Sequence, residues 1–272
     1  MRNRVEQVNC LFIADILGKP GRRIIAEKLS EVRRAYDIDV CVANCENASG
    51  GKGITVKVAE ALFSSGIDIL TSGNHLWAHK EILPYMECHP HLLRPANYPP
   101  GVKGTGYGIF PLDRGLNIGV LNLQGRVFMP ELDCPFRVAA ESVEVLRAST
   151  PIIVVDFHAE ATSEKMAMGW YLDGTVSAVL GTHTHVQTAD ERILPKGTAY
   201  ITDVGMTGPH DSIIGIETDI VLERFLTQMP TRFTPASGNV KLCGVIVTID
   251  VHSGRSLRIE RLIVDDQDKE ER

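Results

Sequence analysis

The 272-residue sequence contains six cysteines, Cys10, Cys41, Cys45, Cys88, Cys134 and Cys243, yet no CxxC pair and no dense cysteine framework. A disulfide scaffold is therefore excluded, and the cysteines, three of them in apolar strand-like runs, read as reduced core thiols of a cytoplasmic protein. No uninterrupted apolar run approaches the roughly 18 residues of a membrane span. The opening "MRNRVEQVNCLFIADILG" places basic residues before an apolar run, but Asp15 interrupts it and no small-residue cleavage site follows, so no export signal is read. An excess of positive charge is also missing: the formal net charge is −6. An extended nucleic-acid surface is not expected from such a chain. A local cationic site remains open, because bound metal ions would not enter that sum.

What is present is ordinary for a soluble globular protein, with 44% hydrophobic and 23% charged residues. The length allows a substantial core. Without internal repeats, low-complexity segments or a convincing linker, the simplest division is a single domain over residues 1–264. It is followed by a charged tail, 265–272, "DDQDKEER", read as solvated or disordered.

Short β-branched runs ending in polar residues recur, each followed by a helix-like pattern. "VNCLFIAD" leads to "PGRRIIAEKLSEVRRAY", "DVCVANCEN" to "TVKVAEALFSSG", and "DILTSGNH" to "AHKEILPYM". This alternation predicts an α/β domain, in which ligands collect at the carboxyl ends of strands. "RPANYPPGVKGTGYGIF" reads as loop and edge strand. "NIGVLNLQ", "PIIVVDFHAE" and "VSAVLGTHTH" supply three more strand ends, and the chain from about 239 onward reads as a hairpin turning at "HSGR".

His183 and His185 lie one residue apart just beyond "VSAVL". If the backbone stays extended past Leu180, both imidazoles face one point. The other polar residues that terminate apolar runs are Asp15, Glu46 with Asn47, Asn74 with His75, and His158. One parallel-rich sheet would bring them to a common edge. Taken singly, Asp15 is compatible with a helix cap, Glu46 and Asn47 with a turn, and His158 with a core histidine. Taken together, carboxylates, amide oxygens and imidazoles without a cysteine are a ligand set for Mn-, Fe- or Zn-type ions rather than for a structural zinc.

The segments "GNH", "DFHAEATSEK" and "GTHTHVQTADERILPKGTAYITDVGMTGP", with "ENASGGKG" upstream, resemble the calcineurin-like metallophosphoesterases and more closely their bacterial YmdB-like branch. The resemblance runs from Phe12 to about Ile263. It implies a four-layer α/β/β/α sandwich of two mixed sheets flanked by helices. It also implies that Asp15, His185 and Asn47 hold one metal, that Asn74, His158 and His183 hold a second, and that Glu46 bridges them. In the wider superfamily the first motif is DxH and the bridge is usually Asp, whereas position 17 here is Leu and the bridge is Glu46. The YmdB-like branch shares both departures.

His75 would sit beside the substrate phosphate and act as proton donor, since a ribose oxygen leaves poorly as an alkoxide. The two ions, Fe or Mn first with Zn or Mg as alternatives, would generate the hydroxide nucleophile and offset phosphoryl charge. The implied partner is a small phosphodiester or cyclic nucleotide such as 2′,3′-cAMP. No membrane partner is expected, and a homo-oligomer stays open. The rival readings are a phosphomonoesterase or nucleotidase on the same metal site, and a regulatory protein of weak catalysis that works through partners. "ASGGKG" lacks the full GxxxxGK[ST] pattern and reads as a flexible loop beside the site. "DVGMTG" and "LQGRVFMPELDCPFR" read as loops, with Arg126 and Phe128 as candidates for the cleft wall. "MAMGWYL" reads as a packed helix, and His79, His89, His91, His210 and His252 as structural.

Overall fold

The computed structural model describes residues 6–266. In chain order, β1 (Gln7–Ile13), β2 (Asp15–Ile16), α1 (Gly18–Ala35), β3 (Val40–Asn44), α2 (Val56–Ser64) and β4 (Ile69–Thr71) form the first part. Then come α3 (Ile82–Cys88), β5 (Tyr107–Pro111), β6 (Asn117–Gln124), α4 (Pro135–Arg147), β7 (Ile153–His158), α5 (Thr162–Leu172) and β8 (Ala178–Thr182). The last part is β9 (Arg192–Ile193), β10 (Ala199–Ile201), β11 (Met206–Pro209), α6 (Thr218–Thr227), β12 (Val240–Asp250) and β13 (Ser256–Asp265).

These strands make the two mixed sheets that the resemblance implies, so the polar strand ends come from two sheets and not from one. One runs β2-β11-β12-β1-β3-β4, with β13 on β12; the other runs β5-β6-β7-β8-β10-β9. β1, β3 and β4 are mutually parallel, as are β6, β7, β8 and β10, while β12 lies antiparallel to β1 and β13. Strand alternation explains the layers. Along β1, Val8, Cys10 and Phe12 enter the core between the sheets, and Leu11 and Ile13 turn outward onto Ile24, Ile25 and Leu29 of α1. Along β7, Val154 joins the inter-sheet core, whereas Ile153, Val155 and Phe157 pack under Val143 and Leu146 of α4 and Met168 of α5. The result is helix, sheet, sheet, helix. Each fully buried aliphatic side chain contributes roughly 1.5–3 kcal/mol to holding the layers together.

The central strands of each sheet are covered on two faces, which is why β3, β7 and β8 are continuously buried instead of alternating with solvent. Thr55 caps α2 by accepting from the Val58 N–H. Asp15 caps nothing: Leu17 is the N-cap of α1, and no side chain bonds there. The β12–β13 hairpin and the β5 edge strand follow the sequence reading. "DVGMTG" does not, because Met206–Pro209 forms β11, paired with β2 and with the start of β12. The cysteine reading needs a similar correction. All six are free and four are buried, but Cys88 is exposed and Cys134 half-buried. "MAMGWYL" is helical, yet Trp170 and Tyr171 are about half exposed. Asp265 ends β13 and Asp266 pairs with Arg23; the rest of the charged tail lies outside the described residues.

Candidate metal centre

The face between the sheets changes character toward the strand ends. The rows that begin Val42, Ile69, Val120, Val154 and Leu180 continue, two residues on, as Asn44, Thr71, Asn122, Asp156 and Thr182. All five are fully buried. Next along the chain come Glu46, Asn74, Gln124, His158 and His183, so the polar rows of the two sheets meet edge to edge. Each strand contributes one side chain because strand polarity in both parallel cores points the same way.

Asp156 ties the sheets together. Its Oδ2 accepts from Thr71 Oγ1 at 2.6 Å and Asn44 Nδ2 at 2.9 Å, and its Oδ1 accepts from Thr182 Oγ1 at 2.7 Å. Burial raises its carboxyl above the ordinary range, against the pull of His158. Asp156 was not among the candidate residues read from the sequence. Its signal was a carboxylate within the apolar run "VVDFH", two residues before His158 and therefore on the same face.

The three imidazoles have assigned tautomers, because each places one ring nitrogen against a group that can only accept. Thr182 spends its proton on Asp156, so the 2.9 Å contact from His158 Nδ1 to Thr182 Oγ1 requires N–H at Nδ1. His183 Nε2 lies 3.1 Å from Glu160 Oε2, and His185 Nδ1 lies 2.9 Å from the Ile214 carbonyl. That leaves lone pairs at His158 Nε2, His183 Nδ1 and His185 Nε2. The first two face each other at 3.0 Å. Facing lone pairs repel unless a proton or cation lies between them.

The carboxylates gather at the same place. Glu46 Oε1 is 3.3 Å from His158 Nε2 and 3.0 Å from His75 Nδ1, with no hydrogen-bond geometry to either, and Glu46 Oε2 accepts the His75 N–H at 2.9 Å. Asp15 Oδ2 accepts the His183 N–H at 2.8 Å and lies 3.9 Å from His185 Nε2. Asp15 Oδ1 and Asn47 Oδ1 are buried without any donor. Asn47 Nδ2, by contrast, is occupied by Gly51 O and His75 Nδ1, and Asn74 Oδ1 meets His158 Nε2 at 3.2 Å. Glu46, His158 and His183 present ligand atoms within 4.8 Å of one another.

The electrostatics follow. Burial, reinforced by Asp203 and Glu46 against His158, pushes the Asp15 carboxyl well above its ordinary range. Burial alone would also raise Glu46, but His158 and His75 hold it well below. Burial would lower His158, yet Glu46, Asp15 and Asp156 raise it to about 9, and burial beside His158 drops His183 to about 3. A divalent ion satisfies such a set of lone pairs and carboxylates, which otherwise binds a proton. Cys45 takes no part, since its Sγ donates to the Thr71 carbonyl.

One backbone expectation is overturned. β8 ends at Thr182, and the chain is not extended at the two histidines: φ is 100° at His183 and 66° at His185. Side chains at this costly conformation need a compensating hold. Asp15 grips the His183 N–H, and Asp203 grips the Thr184 N–H at 3.1 Å while pairing with buried Lys165 at 2.6 Å. The turn sends His183 to His158 and His185 to Asp15, so the pair spans the centre instead of facing one point. Gly73 is required for close approach. A Cβ there would collide with His158 Nε2 and Glu46 Oε2. Arg126 and Phe128 stand exposed on the loop after β6, whose N–H groups at 126 and 127 are held by Glu164.

The sequence profile described as "YmdB-like protein" matches residues 11–262. This chain belongs to that family. The YmdB-like chain is also 50% identical, over 94% of its length and 97% of the other, to the 2′,3′-cyclic-nucleotide 2′-phosphodiesterase of Bacillus subtilis strain 168. A crystal structure of a hypothetical protein from Thermus thermophilus superposes with a TM-score of 0.89 at 42% identity, covering 95% of this chain and 99% of that one. A crystal structure of a novel phosphatase from Mycoplasma pneumoniae gives a TM-score of 0.89 at 35% identity, covering 95% and 94%. The YmdB-like chain is a hydrolase with the α/β fold of these structures. Among the described residues no helix is long and apolar enough to cross a membrane.

Proposed function

We propose that this YmdB-like protein is a dinuclear metal-dependent phosphodiesterase that hydrolyses 2′,3′-cyclic nucleotides. The observation that carries the reading is the convergence of three imidazoles, each with one nitrogen anchored and the other free, on two buried carboxylates. The activity named for the Bacillus relative supports the substrate class. Asp15 and His185, with help from Asn47, would hold one ion, Asn74, His158 and His183 would hold the other, and Glu46 would bridge them. The oxygen and nitrogen donors favour Fe or Mn, with Zn or Mg able to substitute. When bound, the ions supply the activated nucleophile and neutralise phosphoryl charge.

The chain's own residues do the rest. His75 Nδ1 lies 3.0 Å from Glu46 Oε1 and 3.1 Å from Asn47 Nδ2, which leaves Nε2 as the ring nitrogen to donate the proton. A new P–O bond would form from water, which releases one proton to solvent; the P–O2′ bond would break with its electron pair going to O2′, and His75 would give O2′ a proton and regain one from solvent. We read the enzyme as cytoplasmic, in keeping with its six free cysteines. The test is incubation of metal-reconstituted protein with 2′,3′-cAMP and chromatography of the products. The expected product is 3′-AMP. Hydrolysis of mononucleotides alone, with the cyclic substrate spared, would replace this reading with a phosphomonoesterase.

A further inference from the structure

Among the described residues, seven buried side-chain polar atoms lack a hydrogen-bond partner, and six of them are oxygens. The exception is Gln124 Nε2. Gln124 ends β6 in register with His158 of the parallel strand β7, just as Asn122 is in register with Asp156. Asn122 bonds Ser72 of the opposite sheet through both ends of its amide. Two residues on, the fully buried Gln124 side chain enters the same inter-sheet face beside His158.

Everything about Gln124 except its amino group is anchored. Asn97 clamps its backbone, donating to Gln124 O at 2.8 Å and accepting from Gln124 N at 2.9 Å. Tyr98 Oη donates to Gln124 Oε1 at 3.4 Å. The Trp77 ring stands edge-on to Tyr98 at 5.1 Å and packs it in place. The bond from Tyr98 Oη marks Oε1 as the end of the amide facing the tyrosine and leaves Nε2 aimed away from it. Trp77 lies two residues past His75, so this aromatic packing reaches the segment that carries the proposed proton donor.

The chemistry of the orphan atoms divides them. Asp15 Oδ1, Glu46 Oε1 and Asn47 Oδ1 are acceptors, suited to cations. Gln124 Nε2 is a donor, which a cation would repel and which a buried site leaves unpaired only at a cost. Its complement is an anionic oxygen that the cations themselves attract. We propose that Gln124 Nε2 donates a hydrogen bond to a non-bridging oxygen of the substrate phosphoryl group, with Tyr98 and Trp77 as positioning residues that hold the amide in that orientation. The inference rests on the phosphoester reading above. It adds a substrate-binding residue from the second sheet.

The test titrates inorganic phosphate calorimetrically into metal-reconstituted wild type, Gln124→Met, Gln124→Glu and Tyr98→Phe, with metal content and melting temperature measured for each. Gln124→Met keeps the length without a donor. Gln124→Glu keeps the acceptor for Tyr98 and places a carboxylate where the donor was. Both are expected to retain metal, while phosphate affinity falls about 10- to 100-fold in Gln124→Met and further in Gln124→Glu. Tyr98→Phe should cost less, and adding it to Gln124→Met should cost nothing more, because Tyr98 acts through the amide. Unchanged phosphate affinity in Gln124→Met, the result if Nε2 merely binds water, overturns the proposal. So does loss of metal in a folded variant, which would place Gln124 in the ion's cradle. Should the variants fail to fold, a crystal structure of wild type with inorganic phosphate decides. Nε2 within about 3.2 Å of a phosphate oxygen supports the proposal, and a longer separation or no bound phosphate overturns it. A wild type that binds phosphate through Gln124 but spares 2′,3′-cyclic nucleotides sinks the substrate reading alone.

Discussion

His158 Nε2 and His183 Nδ1 face each other at 3.0 Å, although each ring has already given its other nitrogen to an oxygen. The two side chains come from the ends of neighbouring parallel strands, β7 and β8. Without a cation, a single proton must serve both, and the carboxylates around His158 keep it there.

That proton sets the pH dependence of chelator-treated protein. His158 ordinarily titrates at 6.5 and is raised to about 9 in the fold. Its contribution to stability is complete below pH 6.5 and is lost as the pH rises to about 9. Metal uptake must displace the same proton. At pH 7.5, uptake is therefore expected to release about one proton from His158, and apparent affinity to rise about tenfold per pH unit until about pH 9. Calorimetry in buffers of different ionisation enthalpy measures the release. No release at pH 7.5 would remove His158 from the ligand set.

Glu46 lies 3.3 Å from His158 Nε2 and 3.0 Å from His75 Nδ1, and is the carboxylate proposed to bridge the two ions. Glu46→Gln preserves shape but removes the charge that lets one side chain hold two cations. Purified wild type should contain close to two transition-metal ions per chain. The variant should lose at least one, with nearly all activity. Normal metal content and rate in Glu46→Gln would take it out of the bridging role.

Asn74 and His75 are adjacent but should fail differently. Asn74→Ala is expected to weaken metal binding, whereas His75→Ala should keep both ions and lower kcat for 2′,3′-cAMP by about 10² to 10⁴-fold. A nitrophenolate leaves without help, so the deficit should shrink markedly on bis-p-nitrophenyl phosphate. Equal deficits on the two substrates would assign His75 to phosphate positioning instead.

Lys165 and Asp203 form a buried pair beneath the histidine turn, with Asp203 also accepting from Gly205 N at 2.8 Å. Lys165→Met strands that carboxylate, with an expected loss of about 3–5 kcal/mol in denaturant unfolding. It should also loosen the turn that orients His183 and His185, so metal affinity should fall with stability. A variant as stable as wild type, with full metal content, would show that the turn needs no brace.

Much of the centre was legible because its residue types are local facts. Carboxylates, amides and imidazoles closing β-branched runs can be read directly, and so can the β12–β13 hairpin with its own turn. Alternation places Asp156 on the His158 face, so even that residue was within reach. Arrangement was another matter. Whether strand ends lie on one sheet or two depends on which cores exclude water together, here Phe12, Val42, Val154 and Leu180, and period-2 patterning is the same in either case. The left-handed backbone at His183 and His185 was hidden too, since neither is glycine and only grips from Asp15 and Asp203, distant in sequence, hold it. The sequence by itself thus determined which atoms could bind cations and that they end strands. Tertiary structure alone decided which nitrogen of each ring is free, which backbone is bent and which amide is left without a partner, because hydrogen-bond partners and burial are set by packing between segments far apart in the chain.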